Sequence, residues 1–427
     1  MREAFLHFIW KSQKFSKANL RTTTKESVEI LNPGMHNASS GPDFLNSRIC
    51  IAGQEWAGNV EIHLNASDWY AHAHENDSNY DNVILHVVWE DDVAVFRKDG
   101  SEIPTLALKD YTTTDLLSAY QDLIHGKTYT FINCEKDASD LDSIIWQQWK
   151  ERLFVERLES KSIFIETLLQ KTKNNWEFVL FILLMKTFGL NKNGVAFLAM
   201  AEHLGGSVIK KVSQNVFQLE SLLFGLAGFL NDNEQLDNYY QELQSEFTFL
   251  KRKYKIAEYL GEKPIFFGLR PANFPTIRLS QLANLYGKHP NLFSRLMNSK
   301  TLEEFYELLG ITASIYWNTH FTFGKESKSQ KKTLSKNFIH LIVINAVIPM
   351  RFCYDRFLGK EQIPNLMQLI DQLPAEKNSI VERFDKINIP SRSAFESQAA
   401  IQLYNTYCKP NRCLQCHIGS NLLNRKH

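Results

Sequence analysis

Two acidic residues and a histidine near the N-terminus have the types and spacing of a metal-dependent hydrolytic site. Asp43 stands in "GPDF", and Glu61 and His63 lie two residues apart in "NVEIHL". Residues two apart on a strand point to the same face, so a hairpin turning near residues 53–54, with a bulge at Gly58, would bring Asp43 to both. Two converging carboxylates favour Mg²⁺ or Mn²⁺, and such an ion activates water for attack on a phosphodiester.

The same acidic residues also have an ordinary structural interpretation. Asp43 follows a proline and can cap a turn, and Glu61 can be an exposed strand residue. The sequence leaves both interpretations open.

Three further histidines lie close to this pair in the chain. His72 and His74 stand in "DWYAHAHEND", and His86 lies in the next apolar segment. A His-X-His pair in an extended segment can bind zinc, and with Glu75 and His86 it loosely fits a cupin-like site, although the glycine and spacing framework of cupins is missing. We expect one of the three to orient substrate or support the metal, while His86 also fits a hydrogen-bonded core residue.

A cysteine cluster near the C-terminus predicts a second metal site. The segment "CKPNRCLQCH" spaces Cys408, Cys413 and Cys416 as C-x4-C-x2-C, and three thiolates this close suit zinc or an iron–sulfur cluster. Cys134 is the first candidate for the fourth ligand and His417 is the second. Three reduced thiols at a helix end are the alternative, and the two remaining cysteines are expected in the core.

The elements around these residues predict an α+β fold followed by helices. A helical segment opens the chain, and strand-like runs follow at 28–31, 44–51, 59–64, 82–89 and 93–97, separated by Gly, Asn, Asp and Pro clusters. From about residue 140 the apolar residues recur at three- and four-residue spacing, which is typical of helices. We therefore predict an α+β domain over 1–135 and a helical domain over 136–427.

The N-terminal pattern resembles the restriction-endonuclease-like PD-(D/E)XK nucleases. "GPDF" supplies the Pro-Asp of that family's motif and "VEIH" supplies its acidic residue, in a helix-strand-strand-strand-helix-strand order. The resemblance implies a mixed sheet flanked by helices, a divalent metal at Asp43 and Glu61, and nuclease activity. His63 stands where the family has lysine, and histidine titrates near neutrality instead of carrying a permanent charge.

The whole chain resembles a bacterial family called domain of unknown function 2851. The resemblance rests on "NPGMHNASSGPDF", "WAGNVEIHLNASDWYAHAHENDSNYDNVILHVVW", "LRPANFPTIRLSQLA" and "SQAAIQLYNTYCKPNRCLQCHIG", which occur in this order. It implies no particular chemistry, but it indicates which segments to inspect.

Two arginines in the third of these segments are candidates for phosphate binding. Arg270 and Arg278 flank two prolines before a helix, where they can hold a nucleic-acid phosphate or tie helical layers together. The net charge of +1 gives no bulk attraction for nucleic acid. The longest apolar run, 338–350, is too short to span a bilayer and predicts a buried helix, so we expect no membrane association and a cytoplasmic protein.

These patterns together predict a metal-dependent phosphodiester hydrolase acting on DNA or RNA. Asp43 and Glu61 would bind Mg²⁺ or Mn²⁺, His63 would take the lysine position, and the cysteine site would hold zinc or an iron–sulfur cluster. The alternative is a non-catalytic module on a degenerate nuclease fold that binds nucleic acid or protein.

Overall fold

The structure is a computed structural model that describes residues 1–37, 39–125, 131–230, 237–360 and 362–425. The chain divides into two compact units. The first contains residues 1–149, 386–389 and 403–427, and the second contains residues 150–385 and 390–402.

A mixed sheet forms the centre of the first unit, which confirms the predicted α+β class. Its strands are β1 (Val28–Asn32), β2 (Met35–His36), β3 (Phe44–Ile51), β4 (Gln54–Asn65), β5 (Val83–Glu90) and β6 (Thr105–Ala107). The order is β1-β3-β4-β5-β6, with β2 paired to β3. β3 and β4 are antiparallel, whereas β4, β5 and β6 run parallel.

The remaining elements are mostly helices. In chain order they are α1 (Glu3–Ser12), α2 (Asp68–Ala71), α3 (Thr114–His125), α4 (Ser143–Lys171), α5 (Trp176–Phe188), α6 (Leu190–His203), α7 (Gly206–Val212), α8 (Val216–Leu226), α9 (Asn238–Lys253), α10 (Pro275–Lys288), α11 (Leu292–Asn298), α12 (Leu302–Leu309), α13 (Lys336–Ile342), α14 (Ile348–Phe357), α15 (Ile363–Asp371), α16 (Ser379–Lys386), α17 (Ala394–Leu403) and α18 (His417–Arg425). Two π-helical stretches, Val343–Val347 and Tyr404–Cys408, follow α13 and α17, and a short hairpin pairs β7 (His320–Thr322) with β8 (Lys325–Glu326).

The hairpin of β3 and β4 forms as predicted, but its irregularity lies in the other strand. Ile51 pairs with Gln54, so the turn consists of residues 52–53. Phe44 pairs with Val60 while Ser47 pairs with Gly58, which places the extra residue in β3 and not at Gly58. Asn46, with φ of 58°, adopts the left-handed conformation at this bulge. The shift places the start of β3 beside Glu61.

One predicted strand was wrong, and the short strands β2, β6, β7 and β8 were missed. Segment 93–97 forms only an isolated bridge between Phe96 and Glu102, and both Val93 and Phe96 are exposed. Val95 alone is buried, in the small cluster that contains Val88, so the segment packs through one side chain without forming a strand. The short β6, which is three residues long, carries too little alternation to be recognised.

Both faces of the sheet are covered in the first unit. The buried face of α1, including Phe5 and Ile9, shares one core with Ile62 and Val87. A smaller cluster that includes Val88 lies apart from this core. β5 is therefore buried on both sides between β4 and β6, as its continuous apolar pattern predicted.

The division of the chain differs from the predicted domains at 135. The first unit continues to Trp149 and also takes residues 403–427, which the prediction assigned to the helical domain. Cys413 and Leu423 are buried in the core of the first unit, and this burial holds the C-terminal segment there.

The second unit is helical, as predicted, and has its own core. Helices α5, α8 and α10 contribute many of its buried side chains. Among the described residues, one helical stretch, Lys336–Phe357, is long and apolar enough to cross a membrane, and 72% of its most apolar window is buried inside the protein. The predicted buried helix at 338–350 is therefore confirmed, although the helix is longer than the apolar run suggested. Cytoplasmic localisation stays a prediction.

Candidate metal centre

The two predicted acidic residues meet where β3 begins beside β4. The Asp43 N–H donates to Glu61 Oε2 at 3.0 Å, and the Ile62 N–H donates to Asp43 Oδ2 at 3.1 Å. These reciprocal bonds fix both carboxylates against the strand backbone. The bulge in β3 explains the meeting, because it places Asp43 level with Glu61.

His63 lies next to Glu61 on the same face of β4. Its Nε2 is 3.6 Å from Glu61 Oε1 and 3.1 Å from His72 Nδ1. Its Nδ1 is 2.9 Å from Nε2 of His86, whose residue pairs with Glu61 across β4 and β5. The structure thus brings together all the histidines that the sequence suggested as supporting residues.

Three imidazoles form a compact set of donors beside Glu61. One ring nitrogen from each of His63, His72 and His74 lies within 4.8 Å of the other two. His74 Nε2 is 3.4 Å from Glu61 Oε1, and the ring of His74 stacks on Tyr80 at 3.8 Å between centroids. The short helix α2 and the turn after it therefore return the His-X-His segment to the strand that carries His63.

A second set of donors includes two residues that the sequence reasoning missed. Glu3, His7 and Asp43 each offer a donor atom within 4.8 Å of the others, and His7 Nε2 lies 3.2 Å from Asp43 Oδ2. Glu3 and His7 are four residues apart on α1 and so share one face. That spacing was the available signal, but only the packed helix shows that the face meets Asp43.

Burial and neighbouring charges set the protonation of this centre. Burial holds the pKa of His63 far below 6.5, and the surrounding imidazoles lower it further. Burial lowers the pKa of His86 to about 3, so both rings are neutral. Burial also raises the pKa of Glu61, against the opposing effect of His74. For His7, burial lowers the pKa, but the carboxylates of Asp43, Glu3 and Glu61 together outweigh burial and the pKa is raised.

The centre runs from a buried end to an accessible end. The side chains of His63 and Glu61 are only 2% and 6% exposed, whereas those of His7 and Asp43 are 22% and 20% exposed. His72 is exposed. Water and a substrate can therefore approach from the side of His7, Asp43 and His72.

The donor atoms are of two kinds, and each kind suits a different class of divalent metal. Neutral imidazoles keep the lone pair that a metal needs, and sets of imidazoles favour Zn²⁺ or Fe²⁺ over Mg²⁺. Glu3, His7 and Asp43 offer two carboxylates and one imidazole. Carboxylate ligands suit Mn²⁺. His63 is neutral and nearly inaccessible, so it cannot supply the permanent charge of the lysine it replaces.

The remaining predicted site residues lie elsewhere. The four cysteines Cys134, Cys408, Cys413 and Cys416 all belong to the first unit. Arg270 and Arg278 belong to the second unit and have different surroundings. Arg270 is exposed, whereas Arg278 is 6% exposed and bonds to neighbouring side chains. This burial keeps Arg278 from contact with a nucleic-acid phosphate. Its contacts instead fit the second interpretation of the sequence, in which the arginine ties helical layers together.

Comparison with known proteins gives one match. Residues 3–379 match the family described as protein of unknown function (DUF2851). No curated protein and no solved structure matches the chain.

Proposed function

Since the chain belongs to the DUF2851 family, whose description states no activity, we propose from the site alone that it is a metal-dependent phosphodiester hydrolase. The proposal rests on one observation. Asp43 and Glu61 are joined by hydrogen bonds with the strand backbone. Asp43 belongs to one set of three donor atoms within 4.8 Å, and Glu61 adjoins the other. Two donor sets meeting at a pair of carboxylates match the needs of metal-assisted hydrolysis.

The position of each side chain assigns it to metal binding or to the orientation of the ligands. His63, His72 and His74 would hold one divalent cation, and Glu3, His7 and Asp43 would hold another. A cation in such a site lowers the pKa of bound water and neutralises charge on a phosphoryl group. Glu61 lies against the imidazoles through Oε1 and accepts the Asp43 N–H through Oε2, so it orients both groups.

The arrangement of elements supports a nuclease-like hydrolase. A helix, an antiparallel hairpin and a following parallel strand surround Asp43 and Glu61, which is the order implied by the restriction-endonuclease-like resemblance. A nucleic acid would be bound through local contacts, because a net charge of +1 supplies little long-range attraction. Because neutral His63 stands where the nuclease family has a charged lysine, charge on the phosphate would have to be neutralised by the metal alone.

Hydrolysis of phosphodiesters tests the proposal directly. Bis(p-nitrophenyl) phosphate and labelled single- and double-stranded DNA and RNA are incubated with the chain and Mn²⁺, Zn²⁺ or Mg²⁺. We expect Asp43→Asn and His72→Ala to lower the rate at least about a hundredfold, because each removes a metal ligand. Glu55→Gln is the matched control, since Glu55 is an exposed carboxylate on β4 that bonds to Arg48.

The hydrolysis rates of the three variants decide whether the assignment holds. Retained activity in Glu55→Gln together with loss in the other two variants supports the assignment. Equal hydrolysis by Asp43→Asn and the unchanged chain, or no hydrolysis with any of the metals, would remove it.

A non-catalytic interaction module is the second candidate. The deep burial of Glu61 and His63 favours it, because such residues can serve structure alone. Calorimetric titration with Zn²⁺ and Mn²⁺ separates the two functions. Micromolar to low-millimolar binding that is weakened in Glu61→Gln, whose carboxylate orients both sets of ligands, favours the hydrolase. Absence of binding favours the module.

A further inference from the structure

Four thiols from distant parts of the chain meet in the first unit. Cys408 ends a π-helical stretch, and Cys413 and Cys416 lie in the loop before α18. Cys134 packs against the apolar core that contains Cys413, and the side chain of the neighbouring Asn133 bonds to Asn411 Oδ1 in the same C-terminal loop. Cys408 belongs to the same loop, since the Asn411 N–H donates to its carbonyl at 3.0 Å. Burial raises the pKa of Cys408, and the other three thiols raise it further, which agrees with this placement.

Hydrogen-bond donors surround two of the sulfurs. Asn133 Nδ2 donates to Cys413 Sγ at 3.5 Å. Burial raises the pKa of Cys416, and the nearby backbone N–H groups of Gly419 and Ile418 oppose this rise. Donors aimed at sulfur stabilise thiolates and are a regular feature of metal–thiolate sites.

The loop is also tightly fixed around its sulfurs. A Cβ atom on Gly419 would lie 2.2 Å from the carbonyl oxygen of Cys413, so only glycine allows this approach. The Arg412 N–H donates to the Tyr407 carbonyl at 2.7 Å, which closes the loop between the first two cysteines of the C-terminal segment. The thiols are thus held in place by backbone contacts.

The cysteines are unpaired by disulfides. All six are free thiols, including Cys50 on β3 and Cys353 in the second unit. Four neighbouring reduced thiols with donors around them are a soft, sulfur-rich set, and such sets select zinc or iron–sulfur clusters.

We propose that Cys134, Cys408, Cys413 and Cys416 form a four-thiolate metal centre, with Cys134 as the ligand that joins the C-terminal loop to the earlier chain. The thiols release their protons to solvent as metal–sulfur bonds form. His417, the alternative fourth ligand, is not needed, and its ring lies 5.7 Å from that of Trp149.

A single zinc ion and an iron–sulfur cluster are both compatible with four thiolate ligands, and the two differ in colour and in iron content.

Metal analysis of the full chain tests the proposal. The chain is purified without oxygen, and iron, acid-labile sulfide and zinc are measured together with visible absorbance. Brown protein with iron and sulfide identifies a cluster, and colourless protein with one zinc per chain that is lost in Cys134→Ser identifies a zinc site at the thiols. We expect Cys134→Ser to lose most of the metal and Cys50→Ser to retain it.

A second measurement needs no variant and therefore does not depend on the folding of Cys134→Ser. In the unchanged chain, alkylation read by mass spectrometry should spare the four cysteines until a chelator or an oxidant removes the metal, after which all four react together. Metal-free protein after reconstitution with zinc and with iron and sulfide would overturn the proposal. Undiminished metal in Cys134→Ser would overturn it as well.

Discussion

Arg278 shows how a buried charge is accommodated in the second unit. Its Nη1 donates to Gln281 Oε1 at 2.9 Å and its Nη2 donates to Asn273 Oδ1 at 2.6 Å. The guanidinium lies 3.6 Å from the ring centroid of Phe338. Burial lowers the pKa of Arg278 to about 10, which leaves it charged at neutral pH. The residue ties the 271–273 turn to α10 and α13.

Replacing this arginine should weaken the second unit. We expect Arg278→Met to lower the free energy of unfolding by about 2–4 kcal/mol, because two side-chain oxygens lose their charged donor. Arg270→Met, at an exposed position nearby, should change it by less than about 0.5 kcal/mol. Urea unfolding followed by circular dichroism measures both, and equal stability of the two variants would contradict the assigned role.

At the residue scale, the sequence predicted one half of the metal centre. The two-residue spacing of Glu61 and His63 and the Pro-Asp at residue 43 identified chemistry within a hairpin, where pairing follows from chain proximity. His7 and Glu3 were missed, because the approach of α1 to the start of β3 depends on packing of a whole helix. The meeting of His72 and His86 at His63 also depends on packing. The sequence predicted these two histidines only as residues that support the metal.

Among the elements, the turn between β3 and β4 positions the acidic pair. Ala52 and Gly53 both have positive φ, at 51° and 83°, which is the two-residue turn that matches the twist of a hairpin. A left-handed conformation is costly for alanine and ordinary for asparagine or glycine.

Substitutions in this turn should change stability in opposite directions. We expect Ala52→Asn to raise the free energy of unfolding by about 0.5–1 kcal/mol, because asparagine accepts a positive φ. Gly53→Ala should lower it by about 1 kcal/mol through backbone strain, since no atom lies within 4 Å of its added Cβ. Thermal unfolding of both variants checks the signs, and a stabilised Gly53→Ala would show that the turn is misassigned.

Helix α4 contains a lysine whose charge is strongly disfavoured. Lys161 Nζ donates to Asn345 Oδ1 at 3.1 Å within the π-helical stretch after α13. Burial lowers its pKa from 10.5 to about 7, with further lowering by Arg157. The folded state therefore binds fewer protons than the unfolded state between pH 7 and the ordinary lysine pKa.

This difference predicts stability that increases with pH. The contribution of Lys161 is least favourable below pH 7, where both states are protonated, and improves as pH rises through the folded pKa. Between pH 7 and 8.5 the slope should approach about 1.4 kcal/mol per pH unit relative to Lys161→Met. Lys171→Met, at an exposed lysine on the same helix, is the control and should keep the slope of the unchanged chain.

Element types were easier to predict than their limits. Alternating or continuous apolar runs identified β3, β4 and β5, because burial selects those patterns directly. The 93–97 segment carried the same pattern but forms a single bridge, with Val95 as its one fully buried residue. The placement of 403–427 in the first unit was missed for a related reason, because an amphipathic helix does not specify which core buries it.

At the scale of the molecule, each unit has its own apolar core. Both proposed metal centres belong to the first unit, because Asp43, Glu61 and the four cysteines all fall within its residues. Ligand binding stabilises the part of a protein that binds it.

Divalent metal should therefore stabilise the first unit selectively. A metal at about 100 times its dissociation constant adds about 2.7 kcal/mol to the free energy of unfolding of the part that binds it. We expect Zn²⁺ or Mn²⁺ to raise the unfolding midpoint reported by hydrogen exchange in β4 and β5, while α5 and α8 respond little. An equal shift in both units, or no shift in β4, would contradict this expectation.

The contact between His63 and His86 has a consequence for how the centre takes up a cation. For His63 Nε2 to present a lone pair, its proton must reside on Nδ1 and be donated to His86 Nε2, which leaves the proton of His86 on its own Nδ1. Among the described residues that buried nitrogen has no hydrogen-bond partner, so this tautomer carries an unsatisfied N–H worth about 1–3 kcal/mol. Without a cation the opposite tautomers are favoured. In these, the His86 Nε2–H donates to His63 Nδ1 and the His63 Nε2–H donates to His72 Nδ1. Binding of a cation would therefore reverse the direction of the hydrogen bond between His63 and His86.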